Sequence, residues 1–153
     1  MRVYRIAKTG YIRDLSGNGS RTYGGRWSPP GIPVVYTSQS RSLAALEFYV
    51  HTSPRFMPSD ISIAEIDVPD SVHISSFAMP GLPAGWYQYP APMALQQYGL
   101  KWFKSGKSLI LRVPSVQVKH EYNFLINPLH PDMCGVKILN VDIFLYDERL
   151  TAR

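Results

Sequence analysis

The chain has 153 residues, of which 45% are hydrophobic and 18% charged, and its formal net charge at pH 7 is +5. Its length lies in the range of about 100–200 residues that is typical of one domain, and we expect a single domain over residues 1–153. The composition excludes a disordered chain. A domain of this size buries enough surface to fold without a disulfide or a structural metal.

A single cysteine, Cys134, leaves no partner for an intramolecular disulfide, which is typical of a reducing compartment. The N-terminal residues contain no apolar run of the length found in secretory signals. No stretch of the chain is apolar for long enough to span a membrane. We therefore expect a cytoplasmic protein without a membrane-bound segment.

The secondary structure is predicted from hydrophobic periodicity and from turn residues. Residues 14–33 are rich in Gly, Ser, Asn and Pro and are predicted as one long loop, and residues 69–92 as irregular. Ser40 is expected to cap the first helix. Helices are predicted over residues 41–51 and 93–104, and strands over residues 3–6, 34–37, 61–68, 108–113 and 122–126, with a last strand or strand pair over 136–146. Five to seven strands that do not alternate regularly with two or three helices predict an α+β fold with mixed or antiparallel sheets.

The helix over residues 41–51 carries a carboxylate among apolar residues. Leu43, Leu46, Glu47 and Val50 follow the i, i+3, i+4, i+7 spacing and are predicted to share one inward face. A carboxylate on such a face is costly to bury unless it is paired or hydrogen-bonded. Two interpretations follow, a boundary salt bridge and a carboxylate that lines a cleft.

Arg26 lies in the segment Gly24-Gly25-Arg26-Trp27. Glycines let a backbone approach a ligand closely, and the arginine fork matches a phosphate or a carboxylate. Tyr36, in the second predicted strand, is a core residue or an aromatic surface for a planar ring. An ordinary surface arginine is the alternative for Arg26.

Several classes of site are excluded by their missing patterns. The glycine-rich segment lacks the G-x-G-x-x-G spacing of dinucleotide-binding folds. Ser115 lacks the G-x-S-x-G context of a serine hydrolase nucleophile and is, taken alone, a turn serine. The four histidines lack metal-ligand spacing, so no metal site is predicted.

Three segments together resemble the RES domain, a family named for its arginine, glutamate and serine. They are GGRWSPPGIPVVYTSQSRSLAALE, LILRVPS and NFLINPLHPD, and the resemblance runs from about Tyr4 to Asp132. The family comprises toxins of bacterial toxin–antitoxin pairs with an Xre-type antitoxin. The resemblance implies an ADP-ribosyltransferase-like fold and an activity that consumes NAD as its substrate, with no further cofactor.

The resemblance also implies the site residues. By motif, the catalytic set falls on Arg26, Tyr36, Glu47 and Ser115. Arg26, Tyr36 and Ser115 are also expected to bind NAD, and Asn127 and Arg5 are further candidates for the same cleft. The implied partner is an Xre-like antitoxin that occludes the cleft. The oligomeric state is left open, a homodimer included.

The acceptor of ADP-ribose is also left open. Hydrolysis or phosphorolysis of NAD is the first hypothesis, and transfer of ADP-ribose to a protein is the second. The net positive charge and ten tyrosines motivate a third hypothesis, a nucleic-acid-binding module. The basic residues form no run or stripe, so we expect no direct contact with nucleic acid.

Overall fold

The computed structural model describes residues 1–52, 57–77 and 79–151. Among them, seven strands form one mixed sheet: β1 Arg2–Lys8, β2 Val35–Ser38, β3 Ile61–Asp67, β4 Ile74–Ser76, β5 Ile110–Pro114, β6 Tyr122–Ile126 and β7 Lys137–Ile143. The strand order is β4-β5-β6-β2-β1-β3-β7. Only the β4–β5 pair is parallel among the paired strands of this sheet. The predicted α+β class is confirmed, and the predicted last strand is the single strand β7.

The helices of the described chain are α1 Asn18–Tyr23, α2 Arg41–Val50, α3 Met93–Ser105 and α4 Glu148–Thr151. The prediction of α2 is confirmed together with its cap, because Ser40 Oγ accepts the backbone N–H of Leu43 over 3.1 Å. The helix predicted over residues 93–104 is α3. Four helices are present where two or three were expected, because the short helices α1 and α4 add to the two that were located in the sequence.

Apolar side chains cover both faces of the sheet. Ile110 and Ile126 belong to one buried cluster, whereas their strand neighbours Leu111 and Leu125 belong to a second cluster. Successive residues of a strand point to opposite faces, so the two clusters lie on opposite sides of β5 and β6. The second cluster contains Trp102 of α3, which therefore covers one face.

The predicted inward face of α2 is wrong in part. Leu43 is buried, but Leu46 and Val50 are 37% and 44% exposed. The buried residues of the helix are instead Leu43 and Ala44, and Ala44 packs against Ile61 and Ile63. Leu43, Ala44 and Glu47, at positions i, i+1 and i+4, therefore lie on the side of α2 that is turned toward the sheet. Glu47 is half-buried and lies at the boundary of the core.

The predicted loop over residues 14–33 contains the helix α1, so that prediction was wrong over six residues. This helix has no side-chain cap, and Gly17 precedes it with φ of 72°. Buried Ser20 holds it through hydrogen bonds to Ser28 Oγ at 2.8 Å and to the carbonyl of Ile32 at 3.0 Å. Tertiary hydrogen bonds therefore supply what helix propensity lacks in this glycine-rich stretch.

The segment over residues 69–92, predicted as irregular, contains the strand β4. Its three residues pair in parallel with residues 110–112 of β5. A strand this short carries no readable alternation of polar and apolar residues, so its existence depends on the neighbouring strand. Ala78, within the same predicted segment, lies outside the described residues, as do residues 53–56, Ala152 and Arg153 of the predicted domain.

Candidate active site

A cavity of about 500 Å³ lies where β1, β2, α2 and the turn over residues 24–27 meet. Its size is typical of sites for small molecules, which span roughly 300–1,000 Å³. Four predicted site residues line it: Arg5, Arg26, Tyr36 and Glu47. The structure thus brings together residues from four separate segments of the chain.

Glu47 points from α2 toward the ends of β5 and β6. Its Oε1 accepts hydrogen bonds from Ser115 Oγ at 3.0 Å and from Asn123 Nδ2 at 2.6 Å. Arg26 interacts electrostatically with the same carboxylate without forming an ion pair in contact. Of the two interpretations of Glu47, the structure therefore supports a hydrogen-bonded carboxylate that lines a cleft.

Ser115 is 5% exposed, follows β5 directly and lies behind the lining of the cavity rather than in it. Its Oγ accepts the backbone N–H groups of Gln117 at 3.0 Å and Val118 at 3.2 Å. These two bonds occupy the acceptor side of the hydroxyl, so its single proton is directed at Glu47. Ser115 is thus a turn serine and, at the same time, a group that holds the carboxylate.

Tyr36 lies on β2 with its ring along the cavity. Its hydroxyl accepts the backbone N–H of Trp27 at 3.1 Å and shares a hydrogen bond of 2.9 Å with Ser28 Oγ. Burial raises the pKa of Tyr36 from 10.0 to about 12. The phenol is therefore neutral near pH 7, which suits an aromatic surface for a planar ring.

Gly25 allows the turn over residues 24–27 to lie directly on Tyr36. A Cβ atom at this position would stand 2.6 Å from the Tyr36 hydroxyl oxygen. The neighbouring Gly24 has φ of 72°, a conformation that residues with a side chain rarely adopt. Both glycines are needed to place Arg26 at the cavity.

Arg26 is held by the backbone of the segment before α3, outside the residues that line the cavity. Its Nη1 donates to the backbone carbonyls of Trp86 at 2.7 Å and Gln88 at 3.1 Å. Burial lowers the pKa of Arg26, while the charge of Glu47 and the Tyr36 phenol act in the opposite direction. These two bonds fix the orientation of the Arg26 guanidinium group. Its remaining N–H groups are therefore suited to bind an anion.

Arg5 lies on β1 and also lines the cavity. It donates a hydrogen bond to the backbone carbonyl of Asp14. Burial lowers the pKa of Arg5, and the nearby Asp14 carboxylate partly opposes this effect. The cavity therefore presents two arginines, one lysine (Lys8) and one carboxylate, an excess of positive charge that favours an anionic ligand.

Asn127 occupies a different place from the one predicted. It is 4% exposed, its Oδ1 accepts the backbone N–H of Leu129 at 3.0 Å, and it is not among the residues that line the cavity. Its side chain shapes the turn after β6. Asn127 thus serves the local backbone here.

Asn123, at the start of β6, lines the cavity and was missed by sequence reasoning. It lies two residues before buried Leu125 and therefore on the same face of the strand. A polar residue on the buried side of an apolar strand was the available signal. Ser38 of β2, which faces Asn123 across the strand pair, was missed for the same reason.

Metal-binding clusters and membrane-spanning helices are both absent from the described ranges 1–52, 57–77 and 79–151. No group of three or more His, Cys, Asp or Glu side chains there could hold a metal ion. None of the helices described there has both the length and the apolar character needed to cross a bilayer.

A family model for the RES domain matches residues 2–147. The chain is 43% identical over 154 residues to a Sphingobium sp. (strain YBL2) protein named Prs ADP-ribosylating toxin, covering 99% of this chain and 96% of the relative. It is 37% identical over 155 residues to Toxin Res of Yersinia enterocolitica serotype O:8 / biotype 1B, covering 98% of this chain and 99% of the relative.

A solved structure, the Mycobacterium tuberculosis MbcT–MbcA toxin–antitoxin complex, contains a chain of the same fold. The two chains superpose with a TM-score of 0.78 over 99% of this chain and 89% of that chain, at 20% sequence identity. At this identity the similarity establishes the fold alone. With the family model matched over residues 2–147 and two relatives aligned over nearly their whole lengths, this chain belongs to the RES-domain family.

Proposed function

We propose that this chain is the toxin of a toxin–antitoxin pair and that it breaks the nicotinamide–ribose bond of NAD, passing ADP-ribose to an acceptor. The observation that carries the proposal is the cavity itself. Arg26, Tyr36 and Glu47 line the same 500 Å³ space, and Glu47 is fixed there by two hydrogen bonds. Both named relatives are called toxins, one of them an ADP-ribosylating toxin.

The chemistry places modest demands on the site. Nicotinamide leaves with the bonding electron pair, which neutralises its ring, so the leaving group needs no proton. The ribose becomes oxocarbenium-like, as in other glycosyl transfers. The site must therefore stabilise a cationic sugar and hold the dinucleotide, and a preorganised charge acts strongly in a water-poor cavity.

The described side chains divide these tasks. Glu47 stabilises the positive charge on the ribose and orients its hydroxyl groups. Arg26 and Arg5 bind the pyrophosphate, because both guanidinium groups line the cavity. The neutral Tyr36 ring packs against nicotinamide, and Ser115 acts through Glu47 because its proton already binds that carboxylate.

The acceptor of ADP-ribose has two candidates. Water or phosphate would make the chain an enzyme that depletes NAD. The name of the Sphingobium relative, with 43% identity over nearly the whole chain, favours a protein acceptor. Both candidates share the bond cleavage, and they differ only in what attacks the ribose afterwards.

An antitoxin is the proposed partner. The solved M. tuberculosis structure is a complex of a toxin with its antitoxin, and one of its chains has the fold of this chain. A polypeptide that fills the cavity mouth near Arg26 would exclude NAD. We propose an Xre-like protein for this role and NAD as its competitor.

The decisive experiment follows nicotinamide release from NAD by the purified chain without antitoxin. Glu47→Gln keeps the side-chain shape and removes the charge, and we expect it to lower the rate by about 10²–10³-fold, the effect of losing one preorganised electrostatic group. Glu65→Gln is the matched control, because that glutamate pairs with Arg2 and does not line the cavity. The proposal would be refuted if NAD remained intact after incubation with the wild-type chain, both alone and in the presence of lysate.

A second measurement separates the acceptors. Labelled NAD is incubated with the chain and a cell lysate, and both protein-bound label and free ADP-ribose are quantified. A protein acceptor predicts a discrete labelled band with slow loss of total NAD. Fast loss of NAD without a labelled band assigns water or phosphate instead.

A further inference from the structure

We infer that Asn123 is a positioning residue for Glu47, which fixes one carboxylate oxygen so that the other faces the ribose. The inference rests on the proposed function and adds a residue to it. Asn123 Nδ2 donates to Glu47 Oε1 over 2.6 Å, which is shorter than the 3.0 Å bond from Ser115. Hydrogen bonds to an ionised acceptor are shorter and stronger than those between neutral groups.

The amide of Asn123 can take only one orientation. A carboxylate accepts hydrogen bonds but does not donate them, so the NH₂ end must face Glu47. The carbonyl end then faces β2, where Ser38 Oγ donates to Asn123 Oδ1 over 2.7 Å. A continuous series of hydrogen bonds therefore connects Ser38, Asn123 and Glu47, with Glu47 as the final acceptor.

The backbone holds this series in place. Ser38 and Asn123 are directly opposed in the antiparallel pair of β2 and β6, and Val113 opposes Asn123 on the other side in β5. Asn123 thus lies in a central strand with neighbours on both sides. Its side chain is a rigid support for Glu47, which belongs to a helix on another part of the chain.

The two oxygens of Glu47 have different surroundings. Both hydrogen bonds go to Oε1, and Oε2 accepts none from any residue in the described part of the chain. Glu47 and Asn123 both line the cavity. Oε2 is therefore available to contact the ribose, while the two hydrogen bonds to Oε1 hold the carboxylate of Glu47 in a fixed orientation.

Asn123→Asp tests this arrangement with almost no change in shape. The new carboxylate would face Oε1 at hydrogen-bond distance, and two carboxyls at this distance share one proton, which raises one apparent pKa of the pair. Near pH 7 we expect kcat for nicotinamide release to fall by about 10- to 100-fold, the range of one hydrogen bond to a charged group. The KM for NAD should change little.

The pH profile separates positioning from simple damage. Below the raised pKa the pair holds one proton, which bridges the two carboxyls and keeps a donor on Glu47 Oε1. As the pH rises through that pKa the proton leaves and no donor faces Oε1, so the loss of kcat in Asn123→Asp relative to the wild type should deepen. The other titratable groups of the cavity are Arg5, Lys8, Arg26, His51 and three tyrosines. They are the same in both proteins, so the difference between the profiles belongs to residues 47 and 123.

Two further variants keep the test falsifiable. Asn140→Asp is the matched control, because Asn140 Nδ2 donates to Asp142 on exposed β7, away from the cavity, and its kcat should equal that of the wild type. Ser38→Ala removes the hydrogen bond that orients the Asn123 amide and leaves the residues that contact Glu47 unchanged. We expect kcat to fall several-fold while KM stays the same. If Asn123→Asp does not fold, as judged by its melting temperature, the kcat of Ser38→Ala decides whether the inference holds.

Each outcome has a consequence. Wild-type kcat in Asn123→Asp or in Ser38→Ala overturns the inference while the proposed function stands. A loss in Asn123→Asp that is equal at every pH, with a lowered melting temperature, assigns Asn123 a structural role only and also overturns it. A wild-type chain that leaves NAD intact overturns the proposed function itself.

Discussion

Ser115 Oγ lies 3.0 Å from Glu47 Oε1, although 68 residues separate the two along the chain. The serine ends a strand and the glutamate lies on a helix, and the packing of α2 near the sheet brings them together. Because the same hydroxyl accepts two backbone N–H groups, the turn after β5 and the orientation of the carboxylate are coupled.

Ser115→Ala is expected to weaken catalysis without abolishing it. Asn123 still donates to Glu47 in this variant, so the carboxylate keeps one of its two hydrogen bonds. We expect kcat for nicotinamide release to fall by about tenfold, in line with the ~1.5–3 kcal/mol of a hydrogen bond to a charged group. Ser105→Ala is the control, because Ser105 also accepts a backbone N–H two residues ahead but lies outside the cavity. Equal rates in the two variants would contradict the role of Ser115.

Arg26→Lys tests the arginine fork separately from its charge. Lysine keeps the positive charge but cannot hold two backbone carbonyls and an anion in one plane. We expect kcat/KM for NAD to fall by about 10- to 150-fold, which corresponds to ~1.5–3 kcal/mol. Arg21→Lys, on the exposed side of α1, should leave kcat/KM unchanged. An unaltered kcat/KM in Arg26→Lys would show that only charge matters at this position.

Tyr36→Phe is expected to destabilise the fold and to change its response to alkali. The buried backbone N–H of Trp27 loses its acceptor, which costs about 1–3 kcal/mol at neutral pH. The pKa of Tyr36 is about 12 in the folded chain and 10.0 without burial, so between these values the folded state keeps a proton that the unfolded state has lost. The contribution of Tyr36 to stability is therefore complete below pH 10 and lost as pH rises toward 12.

The measurement is the free energy of unfolding in denaturant at several pH values for wild type and Tyr36→Phe. The wild-type advantage should shrink from pH 10 to pH 12. Tyr146, whose pKa burial also raises to about 12, is present in both proteins, so the difference isolates Tyr36. A constant difference across this range would refute the assignment.

Gly99→Ala tests how closely α3 approaches the turn that carries Arg26. A Cβ at Gly99 would stand 1.7 Å from the backbone carbonyl oxygen of Trp27, so the helix or the turn must move. We expect a loss of about 1–3 kcal/mol or more in the free energy of unfolding, as for other overpacked cores. Gly19→Ala in α1 meets no atom within 4 Å and should be neutral or slightly stabilising. Similar stabilities for the two variants would show that α3 is not tightly packed there.

Local patterns were sufficient for much of the fold. The Ser40 cap, the helices α2 and α3 and most strands follow from neighbouring residues, because capping and periodicity act within a few positions. The segments α1 and β4 were missed because the hydrogen bonds that hold them go to residues outside the element, 12 positions on for Ser20 and in another strand for β4. Short elements of this kind have too few residues to show a period.

For the candidate site, the motif blocks in the sequence were enough to select Arg26, Tyr36 and Glu47, and one cavity contains all three. How these side chains are held depends on the tertiary structure. Asn127, a candidate from the family resemblance, belongs to a turn, whereas Asn123 four residues earlier supports Glu47. The physical reason is strand pairing: the register of β2 against β6 sets which asparagine faces Ser38, and no local pattern encodes that register.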